Sequence, residues 1–154
     1  MNFLLLALFV LLAVTATFGA NTTDAKKCSK DISVASQAVS DGIVLMQKAQ
    51  DSCNLGEYTY DCVDAVTAVM DNVVVCSDAI TDAVSECSYT ENQCAEDIGE
   101  CISASAGTAS AVMYAILDCQ DKDTWGKCRK DVTKAGMEIA KLSIAIGKAN
   151  VHCQ

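Results

Sequence analysis

Apolar residues recur along this chain at steps of four and three, with polar residues filling the gaps between them. Between Cys62 and Cys87 the apolar set is Cys62, Val66, Val69, Val73, Cys76, Ile80, Ala83 and Cys87, which returns to one face of a helix at every step. The stretch from Cys94 to Cys119 repeats the metre in smaller residues: Cys94, Ile98, Cys101, Ser105, Thr108, Val112, Ala115 and Cys119. Further on come Val132, Ala135, Ile139, Leu142, Ile146 and Ala149, and near the start Ile32, Ala35, Val39, Gly42, Leu45 and Ala49, with less regularity. A strand would alternate every second residue, and none of these stretches does, so the pattern predicts helices near 28–53, 62–87, 94–119 and 128–153. No proline interrupts them.

The cysteines share that metre. Cys28 and Cys53, Cys62 and Cys87, Cys94 and Cys119, Cys128 and Cys153 are each 25 positions apart, which marks four repeats of about 26 residues joined by segments of 8, 6 and 8 residues. A 26-residue helix is about 39 Å long, so the two cysteines of one repeat cannot meet and every terminal bridge joins different helices. Short connections favour an up-and-down antiparallel four-helix bundle, which gathers Cys53, Cys62, Cys119 and Cys128 at one end and Cys28, Cys87, Cys94 and Cys153 at the other. The preferred pairing runs across each turn, Cys53 with Cys62, Cys87 with Cys94 and Cys119 with Cys128, and joins the termini through Cys28 and Cys153; each end allows two other pairings. Cys76 and Cys101 lie on inward stripes about one helical turn apart in height and are counted as a fifth bridge, with two buried thiols as the alternative.

Residues 1–20 read as a cleaved export signal: an uncharged apolar run, Phe3 to Val14, followed by small residues, with cleavage after Ala16, Gly19 or Ala20. The run is too short for a stable membrane span. Residues 21–154 then form one secreted, extracellular domain, where an oxidising environment turns ten cysteines into a disulfide framework. All three phenylalanines fall in the signal or at its edge, leaving the domain a core of Ala, Val, Ile, Leu, Met and Cys. Asn21 opens an Asn-Thr-Thr glycosylation pattern, and Ser88 with Glu91 has the spacing of a capping box. Asp31, Asp97 and Asp131 each stand three places after an opening cysteine, where a carboxylate favours the positive end of a helix.

Charge is segregated: residues 22–53 are neutral overall, 54–126 carry a net −13 and 127–154 a net +4. Arg129, Lys130, Lys134, Lys141 and Lys148 would draw the fourth helix towards its acidic neighbours. A net charge of −9 without a basic run disfavours nucleic acid and anionic membranes as partners. The one histidine, His152, stands beside the terminal Cys153, a poor address for a catalytic base, and the chain is read as non-catalytic. The cysteines lack zinc-ligand spacing, and Asp118, Asp121, Asp123 with Gly126 only faintly imitate a calcium loop, so neither a metal nor another cofactor is expected.

Tyr58, Tyr60, Tyr89 and Trp125 fall in the turns, and Tyr114 in a helix. The antiparallel plan brings Tyr58, Tyr60 and Trp125 to one end, either as a rigid recognition patch or as a cap on a small-residue core. The run Ile102 to Val112, rich in Ala, Ser, Gly and Thr, implies close helix approach or a gap lined by small side chains. The export signal, the four helices and the turn Cys53–eight residues–Cys62 resemble in architecture the plant pectin methylesterase and invertase inhibitors. Cysteines at every block end and the fourfold metre depart from that family, so no inhibitor residues carry over. The sequence therefore points to a secreted binding module for an extracellular protein, with a carrier of a small apolar ligand or lipid and a structural matrix component as alternatives.

Overall fold

The structure is a computed structural model and describes residues 25–56, 58–87 and 92–153. The export signal, Asn21, the Ser88–Glu91 capping box and Tyr89 lie outside those residues. Four long helices make up nearly all of the rest: α1 (Ala25–Cys53), α2 (Tyr60–Glu86), α3 (Asn92–Cys119) and α4 (Trp125–His152), with a single 3-10 turn at Lys122–Thr124 before α4. There is no strand among the described residues. The chain is a disulfide-rich all-α bundle, as its periodicity predicts.

Each helix begins two or three residues before its opening cysteine. At α2 the cause is visible: Thr59 is extended and its hydroxyl accepts from the Cys62 N–H at 3.3 Å, so the helix starts from that cap. The 3-10 turn is held likewise by Asp121, whose carboxylate accepts from the Asp123 N–H at 3.0 Å.

Burial follows one register in all four helices. Counting from the opening cysteine, positions 0, 4, 7, 11, 14, 18, 21 and 25 are all buried in each helix. Position 4 is always β-branched (Ile32, Val66, Ile98, Val132) and position 21 always alanine (Ala49, Ala83, Ala115, Ala149). The core divides into two clusters that mix these sizes. One joins Ile32 and Ile98 with Ala83 and Ala149, and the other Val66 and Val132 with Ala49 and Ala115. Large residues of two helices thus meet small residues of the other two, which fills the interior without aromatic side chains. In α1 the register corrects the expected stripe: Met46 is the buried residue, whereas Leu45 is only partly buried, because 46 and not 45 continues the four-three step from Gly42. At Gly42 α4 comes so close that an added Cβ would lie 2.9 Å from Ile139 Cδ1.

α1 packs most closely on α2 and α3 on α4, while α2–α3 and α4–α1 are looser, which sets α2 and α4 diagonally across the bundle. The disulfides follow the close pairs. Cys53–Cys62 and Cys119–Cys128 form as expected, each with a sequence separation of 9. At the other end the expected Cys87–Cys94 and Cys28–Cys153 bridges are replaced by Cys28–Cys87 and Cys94–Cys153, each with a separation of 59. The reason is helix proximity: the α1–α2 and α3–α4 tips sit with Cα atoms 5.0 Å apart in each bridged pair. Each half of the chain is thus a pair of helices bridged twice, once across the turn between them and once between the start of the first and the end of the second.

The fifth bridge does not form; Cys76 and Cys101 are buried free thiols. Ser77 and Ser105 face each other across α2 and α3 with their hydroxyls 2.6 Å apart, which puts Cys76 level with Ser105 and one turn from Cys101. Closing the bridge would require a slide of about 6 Å of one stapled helix pair along the other. The same hydrogen bond places part of the small-residue run of α3 against α2. Ser105 and Thr108 are buried there but satisfied, Thr108 by donating to the Ala104 carbonyl at 2.8 Å.

Candidate functional site

The three aromatics singled out by position lie in one cluster at the end closed by Cys53–Cys62 and Cys119–Cys128. Tyr58 stands between the other two, with ring centroids 5.6 Å from Tyr60 and 5.6 Å from Trp125, both edge-on. Lys122 Nζ sits 5.3 Å from the centre of the Tyr58 ring. The backbone beneath is fixed by local chemistry. Gly56 supplies the left-handed turn at φ 81°, Thr124 donates from its hydroxyl to the Asp118 carbonyl at 2.7 Å, and Arg129 Nε reaches Asn54 Oδ1 at 3.4 Å. The last of these ties the α1–α2 turn to the start of α4.

The rings divide the work. Trp125 is half-buried and packs against the core cluster at this end, with its indole N–H buried and unpartnered. Tyr60 is 76 % exposed and Leu55 71 % exposed. The tryptophan, the first residue of α4, caps the core, and the tyrosine, the first residue of α2 rather than part of the turn as expected, projects beside the Cys53–Cys62 staple with its ring against Tyr58. Trp125→Ala should lower stability by about 2 kcal/mol, less than a fully buried aromatic would, and the melting temperature by several degrees. Tyr60→Ala should leave stability within about 0.5 kcal/mol. Thermal melts of the two variants check both, and equal effects would contradict this division.

Other expected chemistry falls differently. Asp31, Asp97 and Asp131 lie inside the second turn of their helices and, rather than serving only the helix end, face the last turn of the bridged partner helix. Asp97 is buried and meets His152 Nδ1 at 2.5 Å. Asp131 is raised above the usual carboxylate range by burial and by its hydrogen bond with Asp118, and Asp31 by burial and by Asp82 and Glu86. His152 is therefore a contact between bridged helices, and its partner sits on the same register position as the other two aspartates, a signal already present in the spacing. Of the basic residues of α4, Lys148 reaches Glu100 of α3 at 2.7 Å and Lys141 pairs with Glu138 of its own helix at 2.8 Å, both with much of the lysine exposed.

Four sulfurs gather at each end, Cys28, Cys87, Cys94 and Cys153 at one and Cys53, Cys62, Cys119 and Cys128 at the other, all within 4.8 Å of one another. Thiolates rather than disulfides bind metals, so in the bridged state these sulfurs hold the helices and not an ion. The stretch Gln93–Cys119 of α3 is long and apolar enough to cross a membrane by length and composition. It is bridged at both tips and packs on α2 and α4, with about a third of the stretch buried and Tyr114 and Leu117 exposed. No protein-family model, curated protein or solved structure matches this chain.

Proposed function

We propose that the protein is a secreted, non-catalytic binding module for an extracellular protein, built as four 26-residue repeats in an up-and-down antiparallel bundle, and that it engages its partner through the aromatic end. The fold reading is supported by the four disulfides, which suit an oxidising environment, and by the bridging of the start of α1 to the end of α2 and the start of α3 to the end of α4. The observation that carries the functional reading is Tyr60. A large amphipathic ring left 76 % exposed, backed edge-on by Tyr58 and set on the first turn of α2 beside the Cys53–Cys62 staple, is preorganised for a protein contact because its backbone is already fixed. The interior favours this over an apolar-ligand carrier, since Ser105 and Thr108 of the small-residue run are buried and hydrogen-bonded rather than lining an open gap.

A photo-crosslinking side chain at position 60, compared with one at the exposed Val44 on α1, tests the reading in the fluid into which the protein is released. A discrete adduct is expected at 60 and not at 44, competed away by unmodified protein and not by the Tyr60→Ala variant. Equal labelling at both positions, or none at 60, would remove the basis for a recognition site at this end.

A further inference from the structure

Each helix carries a bridged cysteine at or next to each of its tips, so the bridged sulfurs form one group of four at either end of the bundle. One group is Cys28, Cys87, Cys94 and Cys153, the other Cys53, Cys62, Cys119 and Cys128, and within each all four Sγ atoms lie within 4.8 Å of one another. No member is more than 2 % exposed. Stapling alone does not call for this convergence. A disulfide fixes only the distance between its own two sulfurs, and Cys53–Cys62 would hold its turn equally well with Cys119–Cys128 a helix diameter away. What the convergence adds is a buried four-sulfur centre with one donor from each helix tip.

The dimensions of that centre are those of a tetrathiolate zinc site. Zinc takes four thiolates tetrahedrally at about 2.3 Å, which sets the sulfurs about 3.8 Å apart along every edge. Cys62 Sγ and Cys128 Sγ, which belong to different bridges, already stand 3.7 Å apart. With the two S–S bonds open, the bridged edges lengthen and the longest of the others shrinks by about 1 Å, movements that small side-chain rotations provide. Sulfur alone surrounds each centre, which selects an ion that favours soft ligands and a tetrahedron rather than calcium or magnesium. Cys28 and Cys94 at one end, and Cys62 and Cys128 at the other, fall within the first four residues of their helices, where the positive end of the helix dipole favours a thiolate over a thiol. No spacing along the chain announces such a site, because every ligand comes from a different helix.

We propose that the chain with its bridges reduced binds two zinc ions, one at each end, so that each four-sulfur centre joins the helix tips either as two disulfides or as one tetrathiolate. A dithiol reductant opens a centre: two equivalents are oxidised to disulfides, four electrons and four protons pass to the two S–S bonds, and four thiols result. Zinc then displaces the four thiol protons and binds four thiolates, leaving the centre with two negative charges. Two equivalents of a low-molecular-weight disulfide reverse the change. They accept four electrons and, with four protons from water, become thiols, while the two bridges re-form and the ion leaves. Zinc is thus held where thiols are kept reduced and released where they are oxidised, and the helix tips stay joined in both states. The site is independent of Tyr60 and of the recognition proposed for it.

Cobalt, which fits the same tetrahedron and is coloured by it, tests this on the full mature protein, reduced with a phosphine in the absence of oxygen and then freed of reductant. Two equivalents of Co2+ per chain are expected to bind with the intense red-region absorption of a tetrahedral tetrathiolate. Zn2+ should displace them and raise the melting temperature of the reduced chain by about 10 °C or more. Cys28→Ala with Cys87→Ala should halve the uptake to one equivalent, and so should Cys53→Ala with Cys62→Ala. Cys76→Ala with Cys101→Ala, which leaves both centres whole, should keep it at two, and the oxidised wild type should bind none. A reduced chain that takes up no Co2+, or takes it up without the tetrathiolate absorption or without a gain in melting temperature, overturns the proposal. So does an uptake that stays at two equivalents in either bridge variant, or one that the oxidised protein shows equally.

Discussion

Replacing Cys28 and Cys87 together by alanine is expected to lower the unfolding free energy by about 4 kcal/mol, whereas replacing Cys53 and Cys62 should cost about 2.5 kcal/mol. The difference follows from the loops the bridges close. A separation of 59 residues in the first bridge, against 9 in the second, removes more freedom from the unfolded chain, and loop entropy grows with the logarithm of length. The same ordering is expected for Cys94–Cys153 against Cys119–Cys128, which repeat those separations. Both cysteines of a bridge have to be replaced. With Cys28 alone removed, Cys87 would be left as a thiol among Cys94 and Cys153, all within 4.8 Å, and could exchange into their bridge. Urea unfolding under non-reducing conditions measures the losses, and peptide mapping of the native protein should return Cys28–Cys87 and Cys94–Cys153. Equal losses for the long and the short bridge would mean that the staples act on the folded helices rather than on the unfolded chain.

What the sequence shows of this fold is what repeats along it. The four-three step of Cys62, Val66, Val69 and Val73 requires a helix because no other regular backbone returns those residues to one face, and cysteines 25 positions apart mark the tips. The choice of Met46 over Leu45 is equally periodic and becomes plain once the α1 register is counted from Cys28. The bridge pairing at the open end is of another kind. Four sulfurs converge there, so local geometry admits several pairings, and the choice is made by the closer packing of α1 on α2 and of α3 on α4, a property of whole helix faces. The aromatic end divides in the same way. That Tyr58, Tyr60 and Trp125 gather at one end is written in their positions, although Tyr60 and Trp125 open α2 and α4 rather than lying in the turns, but which ring caps and which projects depends on how far Trp125 sinks against a core assembled from distant residues. Asp97 shows how a correct spacing can be misassigned: its place near a helix start suits the dipole, yet the interaction that fills it comes from His152, 55 residues away.

Between pH 9 and pH 12 the protein should lose stability through Cys76 and Cys101 alone by several kcal/mol. Both thiols are fully buried and unbridged. Burial, together with its neighbour Cys101, pushes Cys76 up from 9.0 to about 12, and burial, with Asp97 and Glu100, does the same to Cys101. The unfolded chain gives up these protons near pH 9, while the folded protein keeps them until about pH 12. Folding therefore binds protons throughout that window, and the unfolding free energy falls as pH rises. Stability from this source is complete below pH 9 and lost progressively above it, with a limit of about 4 kcal/mol for each thiol. The fall should begin without any change in the disulfides, because the titrating groups belong to neither staple. A Cys76→Ala, Cys101→Ala variant isolates the effect. It should be less stable than the wild type at neutral pH, because two small cavities open in the core, and should lose less on going to pH 11. Urea midpoints of the two proteins plotted against pH are expected to converge across the alkaline range. Curves that stay parallel would show that the thiols ionise no later in the folded protein than in the unfolded chain, and that their burial at the α2–α3 contact does not hold them neutral.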